Sequence, residues 1–143
     1  MPQTLAQMAY KLEECFLIYS IGQRHLGTAE RALNHTIYTT EKLIDLTFDL
    51  INGIKQEELL EGEFKPETDF GYILEIFVKA FKLASTSNNE KVKNEAEIIL
   101  LKVLKVIVEI VNDTADGYSV NVYAMLNKLE GLKNRLNELE KQN

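Results

Sequence analysis

The run IILLKVLKVIVEIV, from Ile98 to Val111, constrains the fold more than any other stretch of this chain. Only Lys102, Lys105 and Glu109 interrupt it, three and four residues apart. That spacing gathers them on one narrow stripe of a helix, continued by Glu95 before and Asn112 after, whereas a strand would scatter them over both faces. The run is a helix wetted along one edge. A helix apolar over most of its circumference needs neighbours on several sides. The chain is therefore expected to be all-α, an up-and-down bundle of four to five antiparallel helices around a central helix at about 90-111.

With 143 residues, 45% of them hydrophobic, the chain can bury roughly 70% of its unfolded surface as a single domain, 1-143. Its one cysteine, Cys15, has no partner for an internal disulfide and falls where a helical pattern wants a core residue, as in a reducing compartment. No basic n-region opens the sequence, and the apolar run at 98-111 would span about 21 Å against a hydrocarbon core of about 30 Å. The expectation is a cytoplasmic protein with no membrane partner. Of the net charge of -6, most sits between Glu57 and Asp69, where six acids face Lys65 alone. The remainder is close to neutral, so general attraction to nucleic acid is not expected.

Five helices can be read along the chain. The first starts near Pro2 and carries Leu5, Met8, Leu12, Cys15 and Tyr19, widened by Ala9, Phe16 and Leu17; it ends between Gly22 and Gly27. The second opens at a Thr28 cap and carries Leu33, Ile37, Thr40, Ile44, Thr47, Ile51 and Ile54, although the run Thr36 to Thr40 is a poor helix former. It should end or bend at Gly53, with one or two further turns over 55-61 and a break around Pro66. The third is capped by Thr68 or Asp69 and ends at 85-89, where Asn88 or Asn89 caps the central helix. The central helix gives way to a turn over 112-117. Ser119 caps the last helix, whose residues Val122, Met125, Leu129, Leu132, Leu136 and Leu139 form a heptad seam of under three repeats.

Both histidines and two of the three arginines, Arg24, His25, Arg31 and His35, fall within residues 23-35. On a helix Arg31, His35 and Tyr38 share a face, which suits phosphate because arginine offers a fork of donors and histidine a proton. The acidic segment 57-69 lacks the ladder of a calcium loop, and one cysteine with two histidines makes a poor zinc set. No phosphate loop or nucleophile elbow occurs. No catalytic residue, metal or cofactor is assigned.

These features point to a non-enzymatic interaction module, an accessory subunit or adaptor that meets a protein partner or its own copy. The expected contact is the last seam, Leu129, Leu132, Leu136 and Leu139, since surplus apolar surface marks an interaction site. The alternative is a nucleic-acid-associated subunit or weak nuclease using Arg24, His25, Arg31 and His35.

Overall fold

A capping box opens the first helix, α1 (Leu5–Gly22), in the computed structural model, which describes residues 3–142. The Thr4 hydroxyl accepts the Gln7 N–H at 3.1 Å, and the Gln7 side-chain oxygen accepts the Thr4 N–H at 2.8 Å. Two donors that a first turn leaves open are thereby satisfied. The expected start at Pro2 lies outside the described residues.

The second helix, α2 (Leu26–Ile51), begins before the expected Thr28 cap, with His25 at the cap position and no side-chain hydrogen bond there. A tight turn explains the difference. The His25 N–H reaches the Gly22 carbonyl at 2.8 Å, and the Thr28 methyl packs so close to Gly22 that an added Cβ would lie 2.7 Å from it. The Thr36 to Thr40 run does not interrupt α2. The hydroxyls of Thr36, Thr40 and Thr47 donate to the carbonyls of Ala32, Thr36 and Leu43 at 2.8 to 2.9 Å, so these buried side chains are satisfied within their own helix. Burial then outweighs a weak intrinsic propensity.

Gly53, at φ +80°, reverses the chain after α2 as expected. The next segment is a single 3-10 turn (Glu57–Leu60) whose one buried residue is Leu59. The third helix, α3 (Asp69–Thr86), is capped by Thr68 and the fourth, α4 (Glu90–Ala115), by Asn89. α4 runs on past the expected end at 111. Its last turn is useful to the core: Ala115 is buried, and the Thr114 hydroxyl donates to the Ile110 carbonyl at 2.6 Å. The expected Ser119 cap is not made, because the helix starts four residues later; the Ser119 N–H instead donates to the Glu30 carboxylate at 2.6 Å. The fifth helix, α5 (Tyr123–Gln142), starts instead where the Asn121 side chain accepts the Tyr123 N–H.

No strand occurs among the described residues. α1 packs on α2 and on α3, α3 on α4, and α2 on α4, and α5 lies against both α2 and α4. α4 thus has three neighbours, while Glu95, Lys102, Lys105 and Glu109 form its exposed edge. Leu100, Leu104 and Ile107 of α4 are completely buried, beside Leu5, Leu12, Ile44, Leu74 and Met125 from the other helices. α5 comes close to α2 at Gly131, where an added Cβ would meet the Phe48 ring at 2.7 Å.

The α5 seam is filled from within. Leu129, Leu132, Leu136 and Leu139 are all buried in the same cluster as residues of α2 and α4. The expectation that these leucines are displayed to a partner is corrected by this packing: the fifth helix needs them to hold its own place. Among the described residues no helix is long and apolar enough to cross a membrane.

Candidate functional site

Arg24 and His25 stand in the α1–α2 turn, Arg31 and His35 on α2, and all four are exposed. The ion pairs between helices lie elsewhere: Lys128 with Glu41 and Asp45, Arg135 with Glu97, Lys102 with Glu140. Glu30, the neighbour able to neutralise Arg31, is committed to the Ser119 amide.

Hydrogen bonds fix which way each edge of the α1–α2 hairpin faces. On α2, Glu30, Glu41 and Asp45 turn toward α5 and the loop before it, since they bind Ser119 and Lys128. Lys42 turns the other way, donating to the Gln3 side chain just ahead of α1 at 3.4 Å, and its ammonium sits 4.6 Å from the centre of the Tyr38 ring. Arg31, His35, Tyr38 and Lys42, spaced four, three and four, therefore form the row bordering α1. On α1, Tyr10 and Glu13 face the segment before α3, bonding the Lys65 N–H and the Thr68 hydroxyl. Lys11, Glu14, Ile18 and Ile21 lie on the exposed side of α1, where Lys11 and Glu14 line a groove with Tyr10, Glu58 and Glu61.

Arg24, His25, Arg31 and His35 stand exposed on this side of the hairpin, Lys42 shares a groove with Asp45, and Lys11 shares one with Glu14, Glu58 and Glu61. Ile18, Ile21 and Leu26, on either side of the α1–α2 turn, are 42%, 74% and 62% exposed. Sequence spacing alone found the Arg and His half of the surface. The apolar half, Ile18 and Ile21, falls off the stripe of Leu5, Met8, Leu12 and Cys15, so that spacing does not single it out.

Two buried acids hold other parts together. Glu13, almost wholly covered, accepts the Glu67 and Thr68 amides and the Thr68 hydroxyl on one oxygen. Glu97 accepts the Arg135 Nε–H at 2.9 Å, and this bond raises the arginine's pKa further above its ordinary value. A signal for both existed in the sequence, an acid standing on an apolar helical face: Ala9, Glu13 and Phe16, and Glu97, Leu101 and Leu104. Cys15 is buried and its thiol is pushed up by that burial, the reverse of what a nucleophile requires. Among the described residues no three histidine, cysteine or acidic side chains stand close enough to hold a metal ion.

A cavity of about 280 Å³ lies where the end of α2, the 3-10 turn and the end of α3 converge. Leu46, Leu50, Leu59 and Phe81 line it, with Asp49, Lys55 and Glu57 at its rim. No sequence motif marks it, because three segments distant in the chain build it.

Comparison with known protein families, curated proteins and solved structures finds no match for this chain.

Proposed function

We propose that this chain is a non-enzymatic interaction module, an accessory subunit or adaptor, whose α1–α2 outer face receives an acidic amphipathic helix of another protein. The observation that carries the reading is the exposure of Ile18, Ile21 and Leu26 around the same turn that carries exposed Arg24 and His25 and leads to Arg31. Covering one such side chain contributes about 1.5 to 3 kcal/mol, so three supply the core of a contact. The cations around it supply orientation and speed of encounter with a partner of opposite charge. In a chain of net charge -6, Arg24 and Arg31 stand exposed here with both histidines, which favours a partner of opposite charge.

A nucleic acid would use the same cations, but it gains nothing from covering Ile21. This favours the protein partner. The test is binding of a synthetic acidic amphipathic helix, with leucines on one face and glutamates elsewhere, alongside the same helix carrying lysines and a single-stranded RNA. The acidic helix is expected to bind, with affinity falling tenfold or more, about 1.4 kcal/mol, on Ile21→Glu or on Arg31→Glu. RNA binding insensitive to Ile21→Glu would overturn the reading in favour of nucleic acid. Self-association lost on Ile21→Glu, without helix binding, would overturn it in favour of a second copy.

A further inference from the structure

We infer that the cavity between the ends of α2 and α3 binds a small amphiphile with an apolar body and a cationic head. This site is separate from the α1–α2 outer face and does not depend on it.

The apolar body follows from the floor. Leu59 and Phe81 are buried, Leu46 and Leu50 partly so, and together they line about 280 Å³, at the small end of ligand cavities. That space suits a chain of several carbons or one ring.

The cationic head follows from the mouth. Asp49 and Glu57 stand there against Lys55 alone. Asp49 also accepts the Gln56 side-chain amide at 3.4 Å, which ties the segment after α2 back to that helix. Two helices end at the cavity, α2 through Asp49 and Leu50 and α3 through Ser85 and Thr86. The C-terminal end of a helix carries partial negative charge and favours a cation, normally a lysine or arginine in its last turn. Neither α2 nor α3 has one there. The nearest candidate on α3, Lys82, is turned away to the Gly62 carbonyl at 2.7 Å. The carboxylates of Asp49 and Glu57, beside two helix ends without a cation in the last turn, therefore share Lys55 alone, and an ammonium seated at the mouth would complete the set.

The experiment titrates the full chain with octyltrimethylammonium, octanoate and octanol, which share a tail and differ in head. Backbone amide shifts locate each ligand and calorimetry measures its affinity. Octyltrimethylammonium should bind about tenfold or more tighter than octanoate, with shifts centred on Leu46, Leu50, Leu59 and Phe81. Asp49→Asn, which removes the charge at constant size, should cut that preference at least about threefold and leave octanol binding unchanged. Octanoate binding as tightly as the ammonium would overturn the assignment of charge. Shifts centred elsewhere, or no binding at millimolar concentration, would overturn the site itself.

Discussion

The Thr68 hydroxyl donates to Glu13 Oε2 at 2.8 Å while its oxygen accepts the Gly71 N–H at 3.0 Å, so a carboxylate on α1 fixes the cap of α3. The same oxygen receives the amides of Glu67 and Thr68, each at 3.0 Å. Hydrogen bonds to an ionised acceptor are roughly twice as strong as neutral ones. Glu13→Ala leaves three donors facing a void and should cost about 2 to 4 kcal/mol. Glu13→Gln keeps one acceptor oxygen and should lose less than half as much. Urea unfolding of the two variants measures both, and faster hydrogen exchange at Glu67 and Thr68 would localise the effect.

Gly71 is coupled to the same carboxylate. A Cβ built there would meet Glu13 Oε2 and Cδ and come within 3.0 Å of the Pro66 Cβ, so an alanine must displace Glu13 from its donors. Gly71→Ala should therefore destabilise by about as much as Glu13→Ala, although alanine favours helix over glycine by about 1 kcal/mol. In the Glu13→Ala background only the 3.0 Å approach to the Pro66 Cβ remains, and the same substitution should cost far less. A double-mutant cycle reads this as a coupling of about 2 kcal/mol. Simple additivity would show that the close approach is not what makes glycine necessary.

Arg135 and Glu97 join α5 to α4 with unequal exposure: the Glu97 side chain is 4% exposed and that of Arg135 34%. Removing the arginine strands a covered carboxylate, whereas removing the glutamate frees a cation that can turn to water or to Glu138, 3.8 Å from it. Arg135→Ala should cost roughly 3 kcal/mol and Glu97→Ala clearly less. Replacing both with leucine should recover most of the loss. Chemical denaturation of the three variants decides it, and equal losses for the two alanines would contradict the asymmetry.

Cys15 provides a pH-dependent readout of the fold. Burial pushes its thiol up, with a smaller opposing effect from Lys11. Below about pH 8.5, the ordinary thiol value, both folded and unfolded chains hold the proton and stability does not depend on this group. As pH rises through that value the unfolded chain releases the proton and the folded chain keeps it, so stability falls. Cys15→Ala should abolish this part of the decline, whatever it costs in packing. At pH 8 iodoacetamide should modify the native thiol about a hundredfold more slowly than the unfolded one, the factor given by roughly 3 kcal/mol of opening.

The helices were legible because their apolar residues recur at three and four, and because Gly53, Thr68 and Asn89 act locally, through a backbone angle or a side chain reaching its own next turn. The helix starts differ from the Thr28 and Ser119 caps because Thr28 packs against Gly22 in a tight turn, and because a segment tied to α2 by the Ser119–Glu30 bond delays α5 to Tyr123. Periodicity also cannot say who fills a seam. The spacing of Leu129 to Leu139 is the same whether the facing helix belongs to this chain or to another; here α2 and α4 supply it. Conversely, Ile18 and Ile21 lie off the buried stripe of α1 and stand in solvent.

That contrast makes the last prediction the most direct test of where a partner docks. Leu132 is 2% exposed inside the α5 seam and Ile21 is 74% exposed at the end of α1. Leu132→Ala should cost about 2 to 5 kcal/mol, because it removes packed methyl groups and leaves a cavity among α2, α4 and α5. Ile21→Ser removes an apolar side chain already in water and should change stability by no more than about 0.5 kcal/mol. Thermal unfolding separates the two within one protein preparation. The order reverses for association: Ile21→Ser should weaken capture of the acidic helix, and Leu132→Ala, at a temperature where it remains folded, should leave it unchanged. Loss of capture in Leu132→Ala with its helicity intact would return the docking surface to the leucine seam.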